Sequence, residues 1–325
     1  MRALLTFRNR IEEFYNARAG ILGYLLRLVM SFLALLAMKN AIGYNTLLSQ
    51  YWFIICFAVV GAFAPWRFLP LMLSVYIVAQ MLSLSLGIGV VFIAVLFILY
   101  LLYFRIDKRY AAAMVLMALF LTIKMPALVP LVLAVISPSM SLVAVISSCI
   151  VYYMVHYVNL NSAVILGFTD ATEETKASIF IEGLVNYKDF VYMTLIVILV
   201  FLLVHYVRKA NINHANELAV TLGTGATIIL QLIVQLLYGT MTYEKLWIIL
   251  GGAIASGIVA IIVNYFIQPM DFSRVETLEF EDDEYYYFVR AVPKASIDKE
   301  SVHVTRISSR KRILHGKDST DKGRD

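Results

Sequence analysis

The polar side chains that could do chemistry in the apolar part of this 325-residue chain are few, and most of them share one predicted helical face. Thr224, Thr227, Gln231 and Gln235 recur at helical spacing, so they line one side of a helix. Amides and hydroxyls inside an apolar helix need hydrogen-bond partners, which come from water along a polar path or from a neighbouring helix. Gln80 stands alone in an earlier apolar stretch and carries the same two alternatives.

Signals of an enzyme are weak in this chain. The five histidines are scattered without metal-ligand spacing, and no glycine-rich phosphate loop precedes a Lys-Ser/Thr pair. No serine lies in a recognisable nucleophile setting. No Asp or Glu lies well inside an apolar stretch, which disfavours an intramembrane carboxylate relay. We therefore predict a non-enzymatic protein with no catalytic residue, no cofactor and no metal.

A break in helical structure is predicted at Lys124, Pro126 and Pro130, within the apolar stretch 110–137. This stretch is long for one membrane crossing, and each of its arms is short for a bilayer. Short, proline-interrupted segments at membrane depth require protein or a water-filled cavity around them. The stretch therefore predicts a tight hairpin, which either crosses the membrane fully or re-enters it from one side.

Composition indicates what kind of protein must position these residues. The chain is 61% hydrophobic and only 15% charged, and its charges concentrate after Pro269. Too few charges remain to cover a soluble surface, so a secreted enzyme, a nucleic-acid-binding protein and a disulfide scaffold are excluded. We predict an all-α polytopic membrane helical bundle over 21–268. Outside the hairpin its apolar spans are 21–38, 50–64, 68–84, 86–104, 140–158, 190–207, 218–238 and 246–268.

Basic residues set the predicted orientation. With Arg8, Arg10 and Arg18 in the cytoplasm, the other basic clusters also fall inside, provided that 110–137 crosses an even number of times. Both termini are then cytoplasmic in a multi-pass plasma-membrane protein, with ten spans for a full hairpin and eight for a re-entrant one. Residues 1–20 predict an amphipathic helix at the membrane interface, and 159–189 predict the longest outer loop.

An internal repeat is a further hypothesis. The segment that begins at Pro70 matches the segment that begins at Pro130, and Pro65 and Pro126 precede them at nearly the same spacing. Each unit, 50–104 and 110–158, would contain three apolar segments. Three crossings reverse the direction of the chain, so the units would form an inverted repeat of the kind found in transporters.

The C-terminal tail divides into two parts. Residues 269–307 predict a small cytoplasmic β-rich tail with a hairpin over 275–293 and a third strand at Val302–Ile307, whereas 308–325 predict disorder. So small a sheet is marginal alone. Its aromatic row is expected either to pack on the bundle or to dock a protein partner at the cytoplasmic face, and consists of Tyr285, Tyr286, Tyr287 and Phe288.

The same tail carries a family resemblance. The stretch FEDDEYYYFVRAVPK, from Phe280 to Lys294, resembles the tail of uncharacterised polytopic membrane proteins of Gram-positive bacteria, which often carry a generic permease label. The likeness is firmest over this tail and the last three spans. It implies a bacterial plasma membrane and supplies no activity or site residue.

Two functions from different classes follow from these patterns. The first is a non-enzymatic membrane subunit or scaffold of a bacterial envelope or transport complex, which docks a partner through its cytoplasmic tail. The alternative is a permease-like transporter with a polar path near the 110–137 hairpin and the Thr224–Gln235 face. The expected partners are the lipid bilayer and a cytoplasmic protein, with no nucleic acid, and a homo-oligomer is compatible with either function.

Overall fold

The computed structural model describes residues 2–104, 110–167, 172–210, 214–239, 242–267, 276–281 and 286–291. Within these ranges the chain forms twelve α-helices and one pair of strands. They are α1 (Arg2–Ala17), α2 (Ala19–Ala41), α3 (Tyr51–Phe63), α4 (Leu69–Leu84), α5 (Leu86–Phe104), α6 (Ala111–Thr122), α7 (Leu128–Ile136), α8 (Ser141–Gly167), α9 (Glu173–Val185), α10 (Lys188–Val207), α11 (Ala215–Leu237), α12 (Tyr243–Ile267), β1 (Glu276–Glu281) and β2 (Tyr286–Ala291).

The helices follow the predicted apolar spans closely. Each span coincides with a helix to within about one turn, except that α8 continues to Gly167 and so includes the first part of the predicted outer loop. Five helices in the described ranges are long and apolar enough to cross a membrane: α2, α8, α10, α11 and α12. Helices α3 to α6 are shorter apolar helices, and α7 has only 9 residues.

The outer surface of the bundle is apolar. Phe97 on α5 is 63% exposed and Leu236 on α11 is 73% exposed, and other large aliphatic and aromatic side chains cover the outward faces of most helices. A soluble monomer rarely exposes apolar surface on this scale. Lipid tails are the environment in which such a surface is stable.

The end of the bundle where α12 terminates at Ile267 is called the tail side, and the opposite end, where α9 lies, is called the loop side. The amphipathic helix α1 lies on the tail side, because the ring of Phe7 contacts the ring of Phe266 with centroids 6.5 Å apart. Ile11 and Phe14, on the apolar stripe of α1, are exposed. The first and last helices therefore meet at one end of the molecule.

Two arginines bind carbonyl groups at helix ends. Arg27 Nη1 donates to the carbonyl oxygen of Ala64, where α3 ends, at 2.6 Å. Arg208 follows α10 and donates to the carbonyl oxygens of Val135 and Ser137, where α7 ends. The last carbonyls of a helix lack partners within the helix and carry partial negative charge, so a guanidinium group satisfies them.

Helices α6 and α7 form a helical hairpin with Lys124 at its bend. Helix α6 runs parallel to α8, because Ser148 Oγ donates to the carbonyl of Met114 at 2.6 Å and the Tyr152 hydroxyl donates to the carbonyl of Leu121 at 3.4 Å. Helix α7 then returns to the tail side. Lys124 has a φ of 63°, the left-handed conformation that costs a non-glycine residue free energy.

The bend of this hairpin stops within the bundle. The 12 residues of α6 extend about 18 Å at the rise of an α-helix, which is less than the thickness of a bilayer. The bend packs on α12 at Gly252, where a Cβ atom would lie 2.3 Å from the carbonyl oxygen of Lys124. Gly252 opens a stripe of small residues on α12 that continues with Ser256, Ala260 and Asn264, all three buried.

The two units of the proposed repeat share an order of elements but differ in packing. Each contains three helices, and Pro70 and Pro130 both lie in the first turn of the middle helix. Helix α3 packs mainly against α2, whereas its counterpart α6 packs mainly against α8. The inverted repeat therefore stays a prediction.

On the loop side, α9 is bound to the α4–α5 turn through Glu173. Its Oε2 accepts hydrogen bonds from the backbone N–H of Gly87 at 2.9 Å and from Ser85 Oγ at 2.5 Å, and its Oε1 accepts one from Lys176 Nζ at 3.0 Å. The carboxylate thus satisfies a free N–H at the start of α5. These bonds, with that of Gly87 first, lower the pKa of Glu173 to about 2. Phe180 stacks on α5 as a second contact.

The described part of the tail is a two-stranded antiparallel ladder. Glu276 pairs with Ala291 at one end, and Glu281 pairs with Tyr286 at the other. Tyr286, Tyr287 and Phe288 belong to β2. Tyr285, the third strand predicted at Val302–Ile307 and the disorder predicted for 308–325 lie outside the described residues.

Candidate functional site

A cavity of about 330 Å³ lies inside the bundle between α2, α4, α5, α6 and α8. Small side chains leave this space open: Ala34, Ala37 and Ala41 follow each other along α2, and Ala118 faces them from α6. Lys124, at the bend of the hairpin, lies at one end of the cavity. Its volume falls within the range of small-molecule sites in proteins.

The body of the cavity is apolar and buried. Its walls include Leu73 and Ile77 of α4, Leu96 and Leu99 of α5, and Val115 of α6, all of which are buried. The two serine hydroxyls there donate to backbone carbonyls. Ser74 Oγ donates to the carbonyl of Leu71 at 2.7 Å, and Ser148 Oγ donates to α6, so the body offers an apolar ligand group a dry wall.

The loop-side end of the cavity is polar and open. Asn40, Thr122, Lys124 and Asn159 line this end, and all four are exposed. The hydroxyl of Thr122 donates to its own helix at 2.9 Å, so the two asparagine amides and the lysine ammonium remain to bind a ligand. The cavity is therefore amphipathic, with an apolar body and a polar mouth.

Lys124 gives this mouth a positive charge. Within the described residues its ammonium group makes no ion pair with a carboxylate, and the residues that line the cavity include no Asp or Glu. Lys124 follows the C-terminal end of α6, where a cation interacts favourably with the partial negative charge of the helix end. Its left-handed backbone conformation places the residue at the bend itself, rather than on a face of either helix.

His156 lies beside Lys124 in the same mouth. Its ring stacks on Tyr152, with centroids 5.7 Å apart and planes 12° apart, and contacts Tyr187 at the start of α10. His156 is close enough to Lys124 and Asp189 to interact electrostatically with both. Asp189 does not line the cavity and accepts a hydrogen bond from the Tyr187 hydroxyl at 3.5 Å.

The predicted polar path is closed where the hairpin meets α11. Thr227 and Gln231 do lie against Pro126 and Pro130, as the alternative function expected, but the gap between them has no room for a water molecule. The Thr227 hydroxyl donates to the carbonyl of Gly223 at 2.8 Å, on its own helix. These residues form a packed helix–helix interface.

The rest of the α11 face also bonds within or between helices. Thr224 Oγ1 donates to the carbonyl of Val220 at 2.8 Å. Gln231 Nε2 lies 3.7 Å from the sulfur of Met193 on α10. Gln235 lies one turn further along and is half-buried. The Thr224–Gln235 face of α11 therefore lies away from the cavity and packs against neighbouring helices.

Gln80 holds the loop between α2 and α3. Its Oε1 accepts a hydrogen bond from the backbone N–H of Asn45 at 2.9 Å, and its Nε2 donates to the Tyr76 hydroxyl at 3.1 Å and to Ser49 Oγ at 3.3 Å. The side chain is fully buried. Of the two alternatives predicted for Gln80, a polar path and a contact between helices, these bonds fit a structural contact.

This geometry defines a class of protein: a helical protein whose described residues include five helices long and apolar enough to cross a membrane, with an amphipathic cavity between its helices. No protein-family model, no curated protein and no solved structure matches the chain.

Proposed function

We propose that the chain is a permease-like protein of a bacterial plasma membrane, which takes a small molecule into the cavity between α2, α4, α5, α6 and α8. The cavity is the observation that carries this proposal, because it lies between helices that we place in the membrane and its mouth faces one end of the bundle. Its position differs from that of the path expected at the Thr224–Gln235 face.

The proposed topology has both termini in the cytoplasm. Arg27 and Arg208 lie on the tail side together with α1, which agrees with the enrichment of basic residues on the cytoplasmic side. The mouth at Lys124 then faces outward. The bundle has ten crossings if α6 and α7 count as spans and eight if they form a re-entrant hairpin.

The hairpin is the element that we expect to move. It forms one wall of the cavity, its arms are shorter than a bilayer, and broken helices of this kind line the substrate sites of many transporters. A shift of α6 relative to α8 would open the cavity toward the tail side, where Pro70 and Met114 now line it.

Access from both sides of the membrane tests this function. In a chain whose native cysteines are replaced (Cys56→Ala and Cys149→Ala), Ala118→Cys places a thiol in the cavity, and Ala94→Cys places the matched control on the exposed face of α5. Vesicles of both orientations are treated with a membrane-impermeant anionic thiosulfonate. A permease-like protein reacts at position 118 from both sides, and position 94 stays unreacted in the lipid.

Reaction at Ala118→Cys from one side only would contradict transport and leave a static binding pocket. Failure to react from either side would contradict access to the cavity altogether.

Docking of a partner by the tail is a second proposal, and the strand register favours it. The pairing places Leu278, Phe280, Tyr287 and Val289 at positions of one face of the ladder, and Tyr286 at a position of the other. An isolated two-stranded ladder is marginal, so its apolar face needs a cover. We expect Tyr287→Ser to release a stoichiometric partner that Tyr286→Ser retains; equal retention by both variants would contradict docking.

A further inference from the structure

We propose that the ligand of the cavity is an amphiphile with one anionic head group, bound with its head at Lys124, His156 and Asn159 and its alkyl chain in the apolar body. The inference rests on the proposed function and specifies its substrate class. Three properties of the cavity support this inference: the charge of the mouth, the apolar character of the body, and the length of the body below the mouth.

The charge of the mouth selects an anion. Lys124 is the charged member of the cavity lining, and no carboxylate on that lining offsets it. An ammonium group that lacks an ion pair is free to form charge-assisted hydrogen bonds with a carboxylate or phosphate oxygen. The amides of Asn40 and Asn159 add neutral donors at the same level, and His156 adds a ring nitrogen.

The body selects an alkyl chain. Below the mouth the walls are predominantly apolar, and the two serine hydroxyls that reach the cavity donate to backbone carbonyls instead. From Thr122 to Met114, two lining residues of α6, the helix rises about 12 Å. A polar ligand placed in this body would lose its hydration without compensation, whereas an alkyl chain gains from the transfer.

A free inorganic anion fits the same mouth less well. A site for a free anion surrounds it with several donors, whereas here one cation and a few amides border a predominantly apolar space. The apolar body would remain empty or filled with lipid. An amphiphile satisfies both parts of the cavity at once, and the surrounding membrane is a direct source of such molecules.

Binding of three probes to the purified full-length chain tests this assignment by native mass spectrometry. Dodecyl phosphate carries both the anionic head and the chain, inorganic phosphate carries the head alone, and dodecyltrimethylammonium carries the chain with the opposite charge. We expect one dodecyl phosphate per chain, with at least about tenfold weaker binding of the other two probes.

Variants of Lys124 separate its charge from its place in the bend. Lys124→Gly removes the ammonium group and relieves the left-handed backbone, so the chain should stay at least as stable while the Kd for dodecyl phosphate rises about tenfold. Lys124→Arg should keep the affinity. Ala118→Phe should fill the apolar body of the cavity and prevent the alkyl chain of the ligand from binding. Ala94→Phe, on the exposed face of α5, is its matched control.

The outcomes distinguish this inference from the function on which it rests. Equal binding of the two amphiphiles, with loss of both in Ala118→Phe, would overturn the anionic head group and leave the cavity as the binding site. Binding of inorganic phosphate as tight as that of dodecyl phosphate would identify a free anion instead. If neither amphiphile binds, or if Ala118→Phe binds like Ala94→Phe, the cavity is no ligand site and the proposed function fails as well.

Discussion

Replacing Gly252 by alanine should loosen the bend of the hairpin. A Cβ atom at this position would lie 2.3 Å from the carbonyl oxygen of Lys124, about 1 Å inside ordinary van der Waals contact. The obstacle is backbone rather than the end of a flexible side chain, so α12 and the hairpin must separate. Overpacking of this kind costs about 1–3 kcal/mol.

The neighbouring glycine provides the control. A Cβ atom at Gly251 would have no neighbour within 4 Å, because this residue faces outward. Both substitutions gain the same helix propensity, about 1 kcal/mol, so this contribution cancels in the comparison. Gly252→Ala should therefore be about 1–3 kcal/mol less stable than Gly251→Ala.

Thermal unfolding in detergent measures this difference through a buried thiol. Cys149 is fully buried and becomes reactive to a thiol-specific fluorophore only when α8 separates from its neighbours, whereas the exposed Cys56 is first replaced by alanine. We expect Gly252→Ala to unfold several degrees below Gly251→Ala. Equal unfolding midpoints would show that the bend does not rest against α12 at this glycine.

Three further predictions concern contacts that join separate helices. Glu173→Gln should release α9 from the α4–α5 turn, seen as faster amide hydrogen exchange in α9, whereas the exposed Glu174→Gln should leave exchange unchanged. Because the pKa of Glu173 is lowered to about 2, below its ordinary value of 4.5, its stabilising contribution is present above about pH 4.5 and is lost as the pH falls through 2. Arg208→Met should leave the last carbonyls of α7 unsatisfied and cost about 1–3 kcal/mol in thermal unfolding, and an equal effect of Lys209→Met would contradict this role. Gln80→Leu should free the α2–α3 loop and cost a similar amount, so unaltered protease sensitivity of that loop would be the contrary result.

The positions of the helices could be predicted from the sequence because apolar runs and their charged boundaries are local signals. The hairpin break was predicted at Lys124, Pro126 and Pro130, and the structure places its bend at Lys124. The two prolines predict this break by a local rule, since a proline in the interior of a helix removes a backbone hydrogen bond and interrupts the helix. The left-handed conformation of Lys124 has no such sequence signal, because glycine or asparagine is the residue expected there.

The cavity could not be predicted, because it depends on which helices become neighbours. Helical spacing shows that Thr224 and Gln231 share a face, but it does not show that the face meets α10 and the hairpin in a packed interface. The mouth of the cavity combines Asn40, Lys124 and Asn159 from distant parts of the chain. One signal was visible in the sequence: Lys124 is a lysine in the middle of a long apolar stretch, where a charge is costly unless it has a role.

The packing of α7 has a consequence for how the chain is made. This helix of 9 residues is too short to be held by the bilayer alone, and it packs mainly on α10 and α12, which leave the ribosome later. During synthesis α7 therefore lacks the complete set of its main partners until the last apolar segment has been inserted. Gly252 of α12 packs against the bend of the hairpin at Lys124. A chain that stops before α12 therefore lacks one of the two helices on which α7 mainly packs.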